Sequence, residues 1–252
     1  MYDEQLGICA FACKGPGFVH FMGDDNGLTP TAINYVDDLV KQTGLKVVLS
    51  DYVQYHWPDY QGIAELTIPL KTGWIIVNAR TALKSAYKLR LGMGFGLLPT
   101  INAAFVHTTV INRVREINGG NYFCASNPDV YSSVMNASCE DEYIYSRLPF
   151  VINGASKHSN GSNSGGGVSM FSTDNLKDGY EYPHPFPPSM SYYLNVYEAF
   201  AIAQKKINSF DPTFRLNLNY RKVLDHLIKF EYKRNNKYWL KDSIEAYAEN
   251  IG

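Results

Sequence analysis

The pentapeptide Gly23-Asp24-Asp25-Asn26-Gly27 stands between a short apolar run, Phe18 to Met22, and a helix start at Thr29-Pro30. Asp24, Asp25 and the amide oxygen of Asn26 make a hard-oxygen cluster suited to Mg²⁺ or Mn²⁺ bridging a diphosphate. The same residues also suit a polar turn with Gly27 at positive φ. A calcium loop is excluded, because its further acidic positions and terminal Glu are missing. Asn127-Pro128-Asp129 places a carboxylate at a second helix start, as a cap or as a general base. Asn153 to Ser162 offers Ser156, Lys157, His158 and Ser159 directly after an apolar strand. It reads as a solvated linker or as a loop that closes over a phosphate or completes a metal shell. Tyr55 and Trp57, among further aromatics around Pro58, suit stacking on a sugar or plain packing.

These residues must be positioned by alternating elements. Phe18 to Met22, Val47 to Leu49, Trp74 to Val77 and Tyr143 to Ile152 are apolar runs of buried-strand character. Between them fall helical periods: Ile33, Val36 and Val40 closed by Gly44; Ile111, Val114 and Ile117 capped by Thr108 or Thr109; and a short helix opened by Pro128. Strands alternating with helices predict an α/β sandwich with a mostly parallel sheet. In an open sheet of that kind, ligands collect at the carboxyl ends of strands, where Asp24 would lie. After residue 153 the chain turns rich in Gly and Ser, then in Pro and aromatics. Helical stripes follow, at Tyr193, Val196, Tyr197, Phe200 and Ile207 and at Val223, Leu224, Leu227 and Ile228. The expected division is a catalytic body over 1–167, an extended linker over 168–190 and a helical region over 191–252.

Composition bounds the classes. The chain has 252 residues, 45% apolar and 19% charged, and a net charge of −1. That is globular composition, and it argues against a nucleic-acid partner bound through bulk phosphate attraction. No apolar run reaches the roughly 18 residues of a membrane helix, and the start lacks signal-peptide character, so a cytoplasmic protein is expected. Cys9, Cys13, Cys124 and Cys139 have no zinc or redox spacing and read as small hydrophobes. His20 and His107, inside apolar runs, read as core groups. Gly92 to Gly96 matches neither a dinucleotide fingerprint nor a P-loop, and no nucleophile elbow is present.

In their order, these segments resemble glycosyltransferase family 2, enzymes of the GT-A fold. Asp24-Asp25-Asn26 stands where that family carries its aspartate-rich metal motif, after the strand Phe18 to Gly23 and before Leu28-Thr29-Pro30. Asp129 matches the acidic residue at a later helix start, and His158 the histidine on the loop after the next strand. The resemblance implies a partial GT-A-like mixed sheet flanked by helices. It implies Mn²⁺ or Mg²⁺ held by Asp24, Asp25, Asn26 and His158, with Asp129 as catalytic base. Ser156, Lys157 and Ser159 would contact the diphosphate, and Tyr55 and Trp57 the sugar or acceptor. The partners implied are a nucleotide-sugar donor and a glycan or other hydroxyl acceptor, joined in an inverting transfer. Family members open with a longer strand–helix–strand unit. With 23 residues before Asp24, the expectation is a chain completed by an N-terminal segment or a partner chain. The alternatives are a non-catalytic carbohydrate-binding module on the same scaffold and an unrelated Mg²⁺-dependent phosphate enzyme.

Overall fold

The computed structural model describes residues 15–23, 25–61, 64–89, 96–157 and 192–233, with 241 and 245. The strands are β1 (Phe18–Val19), β2 (Gly27–Leu28), β3 (Val47–His56), β4 (Glu65–Thr67), β5 (Trp74–Asn78), β6 (Ala104–His107) and β7 (Glu142–Ala155). The helices are α1 (Ala32–Thr43), α2 (Pro58–Gln61), α3 (Ala79–Tyr87), α4 (Thr108–Ile117), α5 (Pro128–Ser138), α6 (Tyr192–Phe210) and α7 (Tyr220–Lys233). All strands join one mixed sheet in the order β1-β6-β3-β7-β2, with β4 on β3 and β5 on β7.

The α/β class is as expected, but the sheet is not mostly parallel. Of the six pairings among the described residues, only β3 with β7 is parallel. Strand–helix alternation yields parallel neighbours only where the connection is long enough to cross over, about a dozen residues or more. The link from His56 to Glu65 is too short for that, so β4 folds back antiparallel on β3. The long crossover is instead the whole stretch from β3 to β7.

Local physics sets the helix ends. Gly44 ends α1 at φ 70°, its N–H reaching Val40 O at 2.7 Å, a left-handed cap that a side chain would strain. The buried stripe of α1 is Ala32, Val36 and Leu39, while Ile33 lies 60% exposed. The stripe is thus rotated from the expected one, because small Ala32 lets the helix approach the sheet. Helix α4 is capped by His107, whose Nδ1 accepts from Thr109 N–H at 3.3 Å, rather than by a threonine. Gly27 is extended and pairs with Ile152, so no positive φ is needed there.

Two apolar layers lie on opposite faces of the sheet, following the two-residue alternation of strands. Val47, Leu49 and Tyr143 face a large core with α3, α4, α5, α6 and α7. Val48 and Ile144 face a smaller one under α1. Val196, Tyr197, Phe200 and Ile207 of α6 are buried in the large core, and Tyr87 Oη donates to Phe200 O at 2.7 Å. Two expected strands differ in burial. The first is only Phe18–Val19, half-buried, because Phe21 leaves the ladder to stack on Tyr122 at 5.8 Å. Strand β5 is an edge, with Trp74, Ile75 and Ile76 exposed and only Val77 buried. Cys124 and Cys139 are half-buried thiols in no disulfide among the described residues, and burial pushes Cys139 up to about 12; Cys9 and Cys13 lie outside the described residues. Among the described residues, no helix is long and apolar enough to cross a membrane.

The long pairing of β3 with β7 carries an irregularity. From Ser50 to Tyr52 strand β3 advances two residues, while β7 advances five, from Ser146 to Val151. The displaced backbone is still bonded: Arg147 N–H reaches Gly73 O at 2.9 Å, and Phe150 O accepts from Thr29 N–H at 3.0 Å.

Because α6 fills the large core, Phe200→Ala should lower the unfolding free energy by about 3–5 kcal/mol, measured by urea denaturation. A loss under about 1 kcal/mol would mean α6 is a detachable appendage.

Candidate functional site

Strands β3 and β7, being parallel, present their carboxyl ends together, and β7 runs on through Ala155 rather than giving way to a loop at Asn153. Tyr55 pairs with Gly154 and His56 with Ala155, so backbone bonding extends the strand into the glycine-rich stretch. Asn153 Nδ2 donates to Gln54 Oε1 at 2.9 Å, and Trp57 N–H to Ala155 O at 2.9 Å.

The acidic turn is bound to this end. Asn26 N–H closes a turn on Gly23 O at 3.2 Å. Asn26 Oδ1 accepts from Gly154 N–H at 3.0 Å. A Cβ on Gly154 would fall 1.8 Å from Asp25 O and 3.2 Å from Trp57 Nε1, so only glycine allows the turn, β7 and the indole to meet. Trp57 is 43% exposed and sits edge-on to Tyr55 with ring centres 5.1 Å apart. Asp25, Asn26, Tyr55 and Trp57 are thereby gathered around Gly154. Ser156 and Lys157 follow directly, half-buried and exposed. Asp24, His158 and Ser159 lie outside the described residues. Among the described residues, no three His, Cys, Asp or Glu side chains group to hold a metal ion.

Asp129 lies on α5, beside a different part of the sheet. The cap of α5 is Asn127, whose Oδ1 accepts from Val130 N–H at 3.2 Å, with Pro128 in the first turn. Asp129 is therefore free of the capping role, and Asn102 Nδ2 donates to its Oδ2 at 2.7 Å. Desolvation raises the Asp129 carboxyl above its usual range, opposed by the Asn102 bond. A raised value moves a carboxylate toward what a general base needs. Asn102 precedes Ala103, whose carbonyl accepts from Ser50 N–H at 3.0 Å. Asp129's partner thus stands beside the Ser50 region of β3, set back from the Tyr55 end that receives the acidic turn.

Two residues here escaped the sequence reading. Asp51 accepts a hydrogen bond from Tyr145 Oη; its signal was a carboxylate closing the apolar run Val47 to Leu49. Glu198 is wholly buried on α6, its Oε2 accepting from Ser126 Oγ at 2.7 Å and Ser126 N–H at 3.3 Å. Burial raises its carboxyl to about 7, against the two Ser126 bonds. The available signal was that α6 is apolar nearly all round, with Leu194, Ala199 and Ala201 lying off the stripe that Tyr193, Val196, Tyr197 and Phe200 form.

This mixed sheet of parallel and antiparallel strands flanked by helices is consistent with a GT-A-like fold. It is similar in fold to residues 1–349 of TarS from S. aureus, solved in complex with UDP-GlcNAc, with a TM-score of 0.51 and 12% identity. The match covers 95% of this chain and 60% of that one, so the chain spans less than two thirds of its neighbour's length. At that identity the likeness is one of fold. No protein-family model and no curated protein sequence matches the chain.

Two outcomes follow. Gly154→Ala should cost at least about 2 kcal/mol by forcing β7 off the acidic turn, and should displace the amide resonances of Asp25 and Asn26. Glu198 is held above its ordinary 4.5, so the folded state keeps a proton that the unfolded chain gives up. Its contribution is complete below about 4.5 and is lost as pH rises through about 7, on the order of 3 kcal/mol in all. Glu198→Gln should flatten that fall in melts across pH 4 to 8 and leave the variant the more stable at pH 8.

Proposed function

We propose that the chain is a glycosyltransferase, or the transferase segment of a longer one, moving a sugar from a nucleotide-sugar donor to an acceptor hydroxyl with inversion. The observation that carries this reading is the acidic turn bound through Asn26 to Gly154 at the carboxyl end of the β3–β7 pair, in a fold shared with a UDP-GlcNAc-bound neighbour. The donor diphosphate would lie at that end, beside Asp25, with Ser156 and Lys157 offering a hydroxyl and an ammonium to its oxygens. Tyr55 and Trp57 supply apolar faces for a sugar ring.

The donor set there fits a hard divalent cation. Asp25 brings a carboxylate, and the amide oxygen of Asn26 keeps one lone pair beyond its bond to Gly154. Asp24 and His158 would complete the shell around Mn²⁺ or Mg²⁺. Such a cation supplies charge neutralisation of the leaving diphosphate.

Asp129 would take the proton from the acceptor hydroxyl as that oxygen attacks the anomeric carbon. Asn102 holds one carboxylate oxygen, leaving the other for the substrate. The N-terminal turn of α5 favours the ionised form, while desolvation keeps it basic. The base would stand back from the donor end along β3, with the sugar and the acceptor between them.

Calorimetry of the chain with UDP and UDP-GlcNAc, with and without Mn²⁺, tests donor binding. Release of UDP in the presence of a glycan acceptor tests transfer. Expected are metal-dependent binding and turnover that Asp129→Asn lowers by at least about 100-fold without weakening donor binding. Binding of glycan alone, indifferent to metal and to Asp129→Asn, would instead identify a carbohydrate-binding module.

A further inference from the structure

The buried carboxylate of Glu198 has no part in the core that an apolar side chain would not fill better. Its neighbours on α6, Val196, Tyr197, Ala199 and Phe200, are all buried and, the tyrosine hydroxyl aside, apolar. Among the described residues its Oε1 has no hydrogen-bond partner, nor has either polar side-chain atom of Asn195, three residues before it on the same helix. Leaving such groups unsatisfied in a core is costly, and native cores do so rarely. What Glu198 does hold is Ser126, through both its hydroxyl and its backbone N–H on one oxygen. Ser126 begins the turn that launches α5. Next comes Asn127, which caps the helix and whose carbonyl takes Tyr131 N–H at 3.0 Å. Then comes Pro128, which fixes its own φ, and then Asp129 with its bond to Asn102. From Ser126 to Asp129 the chain has little remaining freedom once both ends are tied.

We propose that Glu198 is a positioning residue: by clamping Ser126 it fixes the turn Ser126–Asn127–Pro128 and so sets the Asp129 carboxylate against Asn102, in line for the acceptor. The proposal rests on the reading of Asp129 as the base. Either oxygen-bearing head group serves, since an amide oxygen can accept both Ser126 bonds as a carboxylate does. A helix-borne clamp suits this task because α6 is itself anchored by Phe200 and Tyr87, so the turn is referred to the large core rather than to a loop.

The test pairs a spectroscopic readout with kinetics on the full chain. The Asn102 side-chain amide, observed by NMR, reports its bond to Asp129 directly. In Glu198→Ala and in Ser126→Ala the amide proton should move upfield and exchange about tenfold faster, while Glu198→Gln keeps the wild-type signal. A glutamate that only fills the core would lower global stability without moving this resonance. Ser126→Ala, which removes one hydroxyl, keeps the test open should Glu198→Ala fail to fold. In turnover, Glu198→Ala and Ser126→Ala should lose about tenfold in kcat with the donor KM unchanged, and Glu198→Gln should restore it. An unchanged Asn102 signal in both folded variants overturns the inference, even where Asp129→Asn abolishes transfer. A shifted Asn102 signal with no transfer by the wild-type chain supports the clamp and counts against the base assignment instead.

Discussion

The parallel pairing of β3 with β7 is the constraint on which the rest of the molecule hangs. Parallel neighbours cannot be joined by a tight turn, so everything between His56 and Glu142 must serve as the crossover. That stretch delivers the two edge strands β4 and β5, the strand β6 on the far side of β3, and α3, α4 and α5 over one face. Helix α1 covers the other face, and the C-terminal helices join the first layer. The same pairing brings two strand ends to one place. There the backbone of β7 can receive the acidic turn only because residue 154 has no side chain.

Helix α5 shows a second organising principle. Its core-facing side is unusually polar, with Ser132, Ser133 and Asn136 fully buried, and most of that polarity is bonded. Tyr122 Oη donates to Asn136 Oδ1 at 2.7 Å, Asn136 Nδ2 to Pro99 O at 3.3 Å, and Ser133 Oγ to Val130 O at 2.7 Å. Tyr131 Oη reaches Asn118 Oδ1 at 2.7 Å. The bonds of Asn136 and Tyr131 to other segments fix the helix in register and rotation more tightly than apolar contact alone, because sliding it breaks them together. The helix that carries Asp129 is thus held as a rigid mount.

Much of this could be read from residue types. Gly44, Pro128 and the stripes of α4 and α6 have local causes, and the structure places helices where those causes predict them. Sheet direction had no local signature: a run such as Trp74-Ile75-Ile76 reads as a core strand, yet it lies on an edge because its pairing is decided by residues far away. At the site, the acidic turn was visible as chemistry, whereas its dependence on Gly154 was not, since a glycine in a Gly/Ser-rich stretch gives no hint that a backbone approaches it. Glu198 was hidden for the opposite reason. It stands on the far side of α6 from the stripe of Tyr193, Val196, Tyr197 and Phe200, where a glutamate reads as solvent-facing.

The irregularity opposite Ser50 and Tyr52 bears on how this chain can vary in length. Strand β7 holds three residues more than β3 across it, an odd number. Ile144 faces α1 before it, and Val151 does so after it, so the side-chain parity of β7 is exchanged on passing through. Adding or removing a single residue between 146 and 151 would exchange it back, turning Val151 and Gly154 to the wrong faces together. Two residues could come or go with the far end of the strand still facing correctly. Length change at this place is therefore quantised, and homologous or designed chains that differ here should differ in steps of two.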